Sequence, residues 1–241
     1  MDAQQNKIAY ITGSSRGIGK ALVQALIAEN YQVFGLSRSA EKSASNFTPI
    51  QLDLNDLEAV KAFEFKPQVD HVLLVNNAGM IGDIGPVGSI PNETIEAVLT
   101  VNSIAPQLLM NTFIKTYMGK VKHGHIINIS SGAGKYAIDA WASYCASKAA
   151  IDLFSETIKH EWLQRNIENW HIHSIAPGVV DTQMQSEIRS AKPALFKSHE
   201  KFIQLKANNE LSSPEAVSNK LLQVILSPES FADTTISVRD Y

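Results

Sequence analysis

Residues 7–19 read KIAYITGSSRGIG, and the fold follows from the change of character at Thr12. Lys7-Ile8-Ala9-Tyr10-Ile11 has the length and apolar content of a buried strand, and Lys20 to Glu29 continues as a helix. The residues between them form a strand-to-helix turn. Glycine lets such a turn close tightly and lets backbone approach a ligand, while the amides that open the helix attract an anion. Three residues separate Gly13 from Gly17, so the pattern is TGxxxGxG rather than GxGxxG. Alone, this turn fits a cofactor loop or an ordinary connection equally well. In the first strand–helix unit of the chain it predicts a loop that cradles a pyrophosphate.

The same alternation continues outward. Strands are predicted at Lys7–Ile11, Gln32–Leu36, Thr48–Leu52, His71–Val75, His125–Ile129, His171–Ile175 and Thr235–Val238. Helices are predicted near 18–29, 55–64, 93–118, 142–165, 185–206 and 214–227. This rhythm predicts an α/β fold: one Rossmann-type domain, with a doubly wound parallel sheet of about seven strands flanked by helices. Such sheets bind ligands beyond the carboxyl ends of their strands. The residues there are Thr12-Gly13, Ser37-Arg38, Asp53, Asn76-Asn77-Ala78-Gly79, Ser130-Ser131 and Pro177-Gly178.

Composition limits the partners. At 241 residues and 44% hydrophobic content, the chain can bury one sizeable core, and it shows no linker or repeat. A net charge of −3 without Lys/Arg clusters argues against nucleic acid or an anionic membrane surface. Cys145 is the only cysteine, which excludes an internal disulfide and a multi-cysteine metal site. No apolar run approaches the roughly 20 residues needed to span a bilayer. Residues 1–7 lack a signal-peptide profile, so a cytoplasmic protein is expected.

The run NISSGAGKYAIDAWASYCASK carries the chemistry, through Ser131, Tyr144 and Lys148. A helix from about Trp141 puts Tyr144 and Lys148 on one face, one turn apart. A neighbouring ammonium favours phenolate and lowers the phenol's pKa, which is how tyrosine becomes a general acid/base. Ser130 competes with Ser131 for the supporting hydroxyl. Asn102 lies in AVLTVNSIAPQLLMNTF, four residues before Pro106. Proline has no N–H to offer the Asn102 carbonyl, so that carbonyl is expected to be free for a water, with a plain helix kink as the other reading.

Taken together, the chain resembles the short-chain dehydrogenases/reductases. The resemblance rests on TGSSRGIG at 12–19, Asp53, NNAG at 76–79, Asn102, Ser131, YCASK at 144–148 and PG at 177–178, in order along the whole chain. It implies hydride transfer between a nicotinamide cofactor and a carbonyl or alcohol. Asn102, Ser131, Tyr144 and Lys148 are the implied catalytic set. Tyr144 would protonate the carbonyl oxygen and Ser131 would polarise it. Lys148 would hold the ribose and Tyr144, with Asn102 completing a proton relay.

The implied cofactor path comprises Thr12, Gly13, Ser15, Arg16, Gly17, Ile18, Gly19, Arg38, Ser39, Asp53, Leu54, Asn77, Ala78, Gly79, Tyr144, Lys148, Pro177, Gly178, Val180, Thr182 and Met184. Charge selects its type. An NAD site places an acid at the end of the second strand, but this strand ends Leu36-Ser37-Arg38-Ser39. The planar fork of Arg38, aided by Arg16, suits a 2′-phosphate and predicts NADP(H). Asp53 ends the third strand, where the family contacts adenine.

Within the family, LLVNNAGMIGD at 73–83, WASYCASKAAIDLF at 141–154 and APGVVDTQMQ at 176–185 are closest to the sepiapterin and benzil reductases. They imply a bulky, planar dicarbonyl as the small-molecule substrate, touching Ser131, Tyr144, Trp141, Gly178 and Asp240. Trp141 reads as a substrate wall or as packing near a helix start. Asp240 reads as a pterin anchor or as the partner of Arg239. Residues 181–206 are expected to cover the substrate, or else to be helical core cover. Cys145 is expected in the core. The pairs His123/His125 and His171/His173 sit at strand starts, away from the cleft, and no metal is expected there. The family implies a homodimer through the helices near 93–118 and 142–165. A generic ketoreductase and a non-catalytic NADP(H)-binding regulator are the competing functions.

Overall fold

The computed structural model describes residues 6–39, 42–66 and 70–241, so residues 1–5 of the segment read for a leader lie outside it. Seven strands run parallel: β1 (Lys7–Thr12), β2 (Gln32–Ser37), β3 (Phe47–Gln51), β4 (His71–Asn76), β5 (His123–Ile129), β6 (Trp170–Ala176) and β7 (Thr235–Ser237). Their order is β3-β2-β1-β4-β5-β6-β7, so the winding reverses between β1 and β4. In doubly wound sheets the ligand cleft lies at that switch point, beyond the carboxyl ends of the strands.

The strands are apolar on both faces because helices cover both. Ile8, Tyr10, Val72 and Leu74 point into one core cluster, and Ala9, Ile11, Leu73 and Val75 into the other. The helices are α1 (Gly17–Ala28), α2 (Leu57–Ala62), α3 (Asn92–Leu99), α4 (Ala105–Tyr117), α5 (Ala142–Gln164), α6 (Gln183–Arg189), α7 (His199–Ala207) and α8 (Pro214–Leu226). Helices α1 and α8 pack together on the second face, while α4 and α5 cover the first.

Two expected helices differ. The helix expected at 93–118 is divided into α3, a π turn at Thr100–Ile104, and α4. Pro106 stands in the first turn of α4, where a missing N–H costs least. The helix expected at 185–206 breaks into α6, a short 3₁₀ turn at Pro193–Leu195, and α7, because Pro193 cannot continue α6. One sequence expectation is corrected as well. Among the described residues, Asn92–Tyr117 is long and apolar enough to cross a membrane by composition, but half of its most apolar window is buried in the fold.

The histidine pairs lie at the sheet edge opposite the cleft. His125 Nε2 is 2.9 Å from His173 Nδ1, and His71 stacks on His123. Among the described residues, no three His, Cys, Asp or Glu side chains are grouped to hold a metal. Burial drives both paired imidazoles toward neutrality: His125 falls well below its usual range and His173 falls to about 4. The unfolded chain therefore binds protons that the folded chain refuses. Stability present above pH 6.5 is lost as pH falls toward 4. Urea midpoints are expected to drop across that window, and a His125→Phe/His173→Leu variant is expected to flatten the drop.

Candidate active site

The turn after β1 has the shape an anion requires. Gly13 and Gly17 take φ of +69° and +54°, in the left-handed region where glycine is favoured. A Cβ on Gly19 would stand 2.2 Å from the Gly13 carbonyl oxygen, so only glycine lets α1 approach this closely. Arg16 occupies the N-cap position of α1 but makes no side-chain cap hydrogen bond. The amides opening α1, beside Ser15 and Ile18, are thus free of a side-chain cap. Thr12 Oγ1 accepts from the Asn77 and Ala78 amides, both at 3.0 Å, and Asn77 Nδ2 donates to the Thr12 and Gly13 carbonyls. These bonds bind the NNAG loop to the glycine turn across β1 and β4.

Tyr144 and Lys148 lie on the buried face of α5, and Ser131 lies in the loop after β5. Ser131 Oγ hydrogen-bonds the Tyr144 hydroxyl and accepts from the Ala133 amide at 3.2 Å. Ser130 instead is buried beside Asp152, which separates the two candidate serines. Lys148 Nζ donates to the Ile129 carbonyl at 2.7 Å and stands 5.7 Å from the Tyr144 ring centre. Burial lowers Lys148 to about 8, against the opposing charge of Asp152. The phenol departs from the sequence expectation. Burial raises Tyr144 to about 12, and the Ser131 hydrogen bond recovers only part of that rise. The ammonium is turned toward the Ile129 carbonyl, and burial rather than the lysine dominates the shift of the phenol.

Asn102 sits in the π turn, a form frequent where a helix serves a site. Its side chain is fully engaged: Oδ1 accepts from the Met80 amide, and Nδ2 donates to the Met80 carbonyl and to Ser147 Oγ. Gly79 closes the cluster, because a Cβ there would lie 3.4 Å from Asn102 Oδ1 and 3.7 Å from Lys148 Nζ. The glycine turn, the NNAG loop, the π turn and α5 meet at one place.

At the other end of the cleft, Arg38 and Ser39 are exposed beyond β2. Asp53 follows β3, accepts from the Asn55 amide at 2.9 Å and precedes the buried Leu54. Arg16 departs from its expected place beside Arg38: its guanidinium donates to Gln183 Oε1 at the start of α6. Thr182 packs at Gly17, where a Cβ would meet its methyl at 3.3 Å. The segment carrying Val180, Thr182 and Met184 therefore leans on the glycine turn.

On the substrate side, Trp141 is buried, with ring centres 5.6 Å from Phe196 and 5.4 Å from Phe202, so packing is its observed role. It still touches Tyr144 edge-on at 5.7 Å. Cys145 is only partly buried against the same cluster, short of the core position expected for it. The Arg239–Asp240 pair does not form. Asp240 Oδ2 accepts from the Ser237 amide, while the Arg239 side chain lies over Gly178, whose φ is +72°. Pro177 and Gly178 directly follow β6.

Sequence reasoning missed Ser147, Gln183 and Asp152. Asp152 alone left a signal, since it lies four residues after Lys148 on the same helix face.

The family profile described as short chain dehydrogenase matches residues 7–193. A benzil reductase ((S)-benzoin forming) of Bacillus cereus is 33% identical, with 93% of this chain and 96% of that protein covered. An NADPH-dependent pterin aldehyde reductase of Arabidopsis thaliana is 28% identical over 80% of this chain and 82% of its own. The crystal structure of YIR035C, a short chain dehydrogenase/reductase from Saccharomyces cerevisiae, superposes with a TM-score of 0.83 at 25% identity, covering 97% of this chain and 96% of that one.

Proposed function

The chain belongs to the short-chain dehydrogenases, nicotinamide-dependent oxidoreductases acting on CH–OH and C=O groups, and from that premise we propose that it is an NADPH-dependent carbonyl reductase for bulky dicarbonyls. The observation that carries this reading is the buried Tyr144 hydroxyl, hydrogen-bonded to Ser131 with Lys148 behind it, at the end of the sheet that carries the glycine turn. The glycine turn, the uncapped amides of α1 and the exposed Arg38 fit NADP(H).

Reduced nicotinamide, when bound, supplies the hydride that reduces the carbonyl carbon. Ser131 Oγ donates to the carbonyl oxygen and polarises it. Tyr144 delivers its proton to that oxygen, turning C=O into CH–OH, and shares the resulting charge with the Lys148 ammonium. Lys148 would also hold the ribose of the bound cofactor. The Asn102 carbonyl, denied a donor by Pro106, holds the water that returns the proton through Lys148. Residues 181–206 cover the substrate, seated on Trp141 through Phe196 and Phe202. Exposed Leu153 on α5 and Ile104 in the π turn support a homodimer through those helices, and the cytoplasm is the proposed location.

Benzil-type dicarbonyls come before pterins because the carboxylate of Asp240 is turned to the Ser237 amide. Carbonyl-dependent NADPH oxidation should be compared for benzil, sepiapterin, a simple diketone and an acyl ketone. The expected order puts benzil first. A clear preference for the acyl ketone would make the protein a generic ketoreductase, and turnover of none would favour a cofactor-binding regulator.

A further inference from the structure

Asp152 lies one helical turn beyond Lys148 on α5, on the face that carries Tyr144. Its carboxylate is buried, and Oδ1 accepts from Ser174 Oγ of β6 at 2.6 Å. Oδ2 has no hydrogen bond of full geometry, and neither has the buried Ser130 hydroxyl near it. Gly134, in the loop that carries Ser131, closes over this oxygen, and a Cβ there would stand only 2.4 Å from it.

A half-satisfied buried carboxylate costs stability unless its charge is used. The use is at hand. Lys148 is a buried cation whose hydrogen bond goes to the neutral Ile129 carbonyl, and among the described residues it makes no salt bridge. The titratable groups around the pair are Tyr144 on α5 and Lys135 in the loop after β5. The π turn, the NNAG loop and β6 face it with the uncharged Asn102, Gly79 and Ser174.

We propose that Asp152 is a positioning residue: a fixed buried anion that keeps Lys148 charged and so holds the lysine fit to bind the ribose and support Tyr144. This rests on the carbonyl-reductase reading for its purpose, but not for its physics. Desolvation lowers the Lys148 pKa, and Asp152 opposes that fall. Burial leaves the Asp152 carboxyl above its ordinary range, and the Ser130 and Ser174 hydroxyls, followed by Lys148, pull it part of the way back.

The test is Asp152→Asn in the full chain, read first by NMR titration of the Lys148 side chain, assigned with Lys148→Met. The variant's Lys148 is expected to lose its proton at lower pH than in the unaltered protein. NADPH affinity is expected to weaken about tenfold at pH 8 and less than about twofold at pH 6, the mark of a lost neighbouring charge. The alkaline limb of kcat/KM should move to lower pH in parallel. A merely structural Asp152 would lower thermal stability and leave the Lys148 titration in place, which would overturn the proposal. If Asp152→Asn does not fold, Ser174→Ala removes the 2.6 Å donor and should shift the same titration by less, in the same direction. No shift there would count equally against it. Because the NMR readout needs no substrate, absence of carbonyl turnover would sink the proposed activity without touching this result.

Discussion

Tyr144→Phe is expected to lower kcat for carbonyl reduction by about 10²–10⁴-fold, the usual worth of a positioned general acid. The substitution removes one oxygen from a ring that is 6% exposed and packed edge-on against Trp141, so the fold should survive. NADPH binding should survive as well, because Lys148 keeps its place on the Ile129 carbonyl. The loss should therefore fall on kcat and leave the cofactor KM within about threefold, since only an interaction made in the transition state is removed. Steady-state kinetics with benzil measures both. Cys145→Ser, one residue along the same helix, should leave turnover unchanged. A Tyr144→Phe enzyme of full activity would remove Tyr144 from the mechanism. With burial raising the phenol to about 12 and lowering Lys148 to about 8, the alkaline fall in kcat/KM is expected to follow Lys148 rather than Tyr144.

Arg38→Asp is expected to reverse the choice of cofactor. Charge-assisted hydrogen bonds are worth about 1.5–3 kcal/mol each, so losing them and adding a like charge should cut the NADPH-over-NADH ratio by about 10²–10³-fold. Arg38 is exposed, which makes this preference sensitive to ionic strength. Arg16→Ala should behave differently. Its guanidinium is engaged by Gln183, so it joins the glycine turn to α6, and its loss should raise the KM of both cofactors alike. Initial rates with each cofactor, at low and high salt, separate the two effects. An unaltered preference in Arg38→Asp would exclude Arg38 as the selector.

The architecture was legible because each strand is a short apolar run ending in small polar residues, and both faces of the sheet are covered. The order of motifs then placed the glycine turn, the NNAG loop and the Ser131 loop at one end of the sheet. What stayed hidden depends on depth or on distant partners. The pKa of Tyr144 was expected to fall because spacing shows the lysine four residues away, but spacing does not show that burial is the larger effect. Pro106 marks a disturbance near Asn102, but the bonds that tie the π turn to Met80 and to Ser147 of α5 come from distant segments. Pro193 is visible in the sequence as the break between α6 and α7. The Arg16–Gln183 contact spans 167 residues, and no local pattern reports it. Asp152 sat beside Lys148 in the sequence, but its meaning required knowing that both are buried.

We propose above that this chain moves a hydride from NADPH to a carbonyl while Tyr144 supplies the proton. It is tested most directly with NADPH deuterated at the transferring position of the nicotinamide, incubated with benzil and the unaltered protein, and with the alcohol product read by mass spectrometry. One deuterium is expected on the carbinol carbon, with at least about a hundredfold less labelled alcohol from Tyr144→Phe in the same time. An alcohol without deuterium, or NADPH that binds and is never consumed with any carbonyl offered, would contradict it.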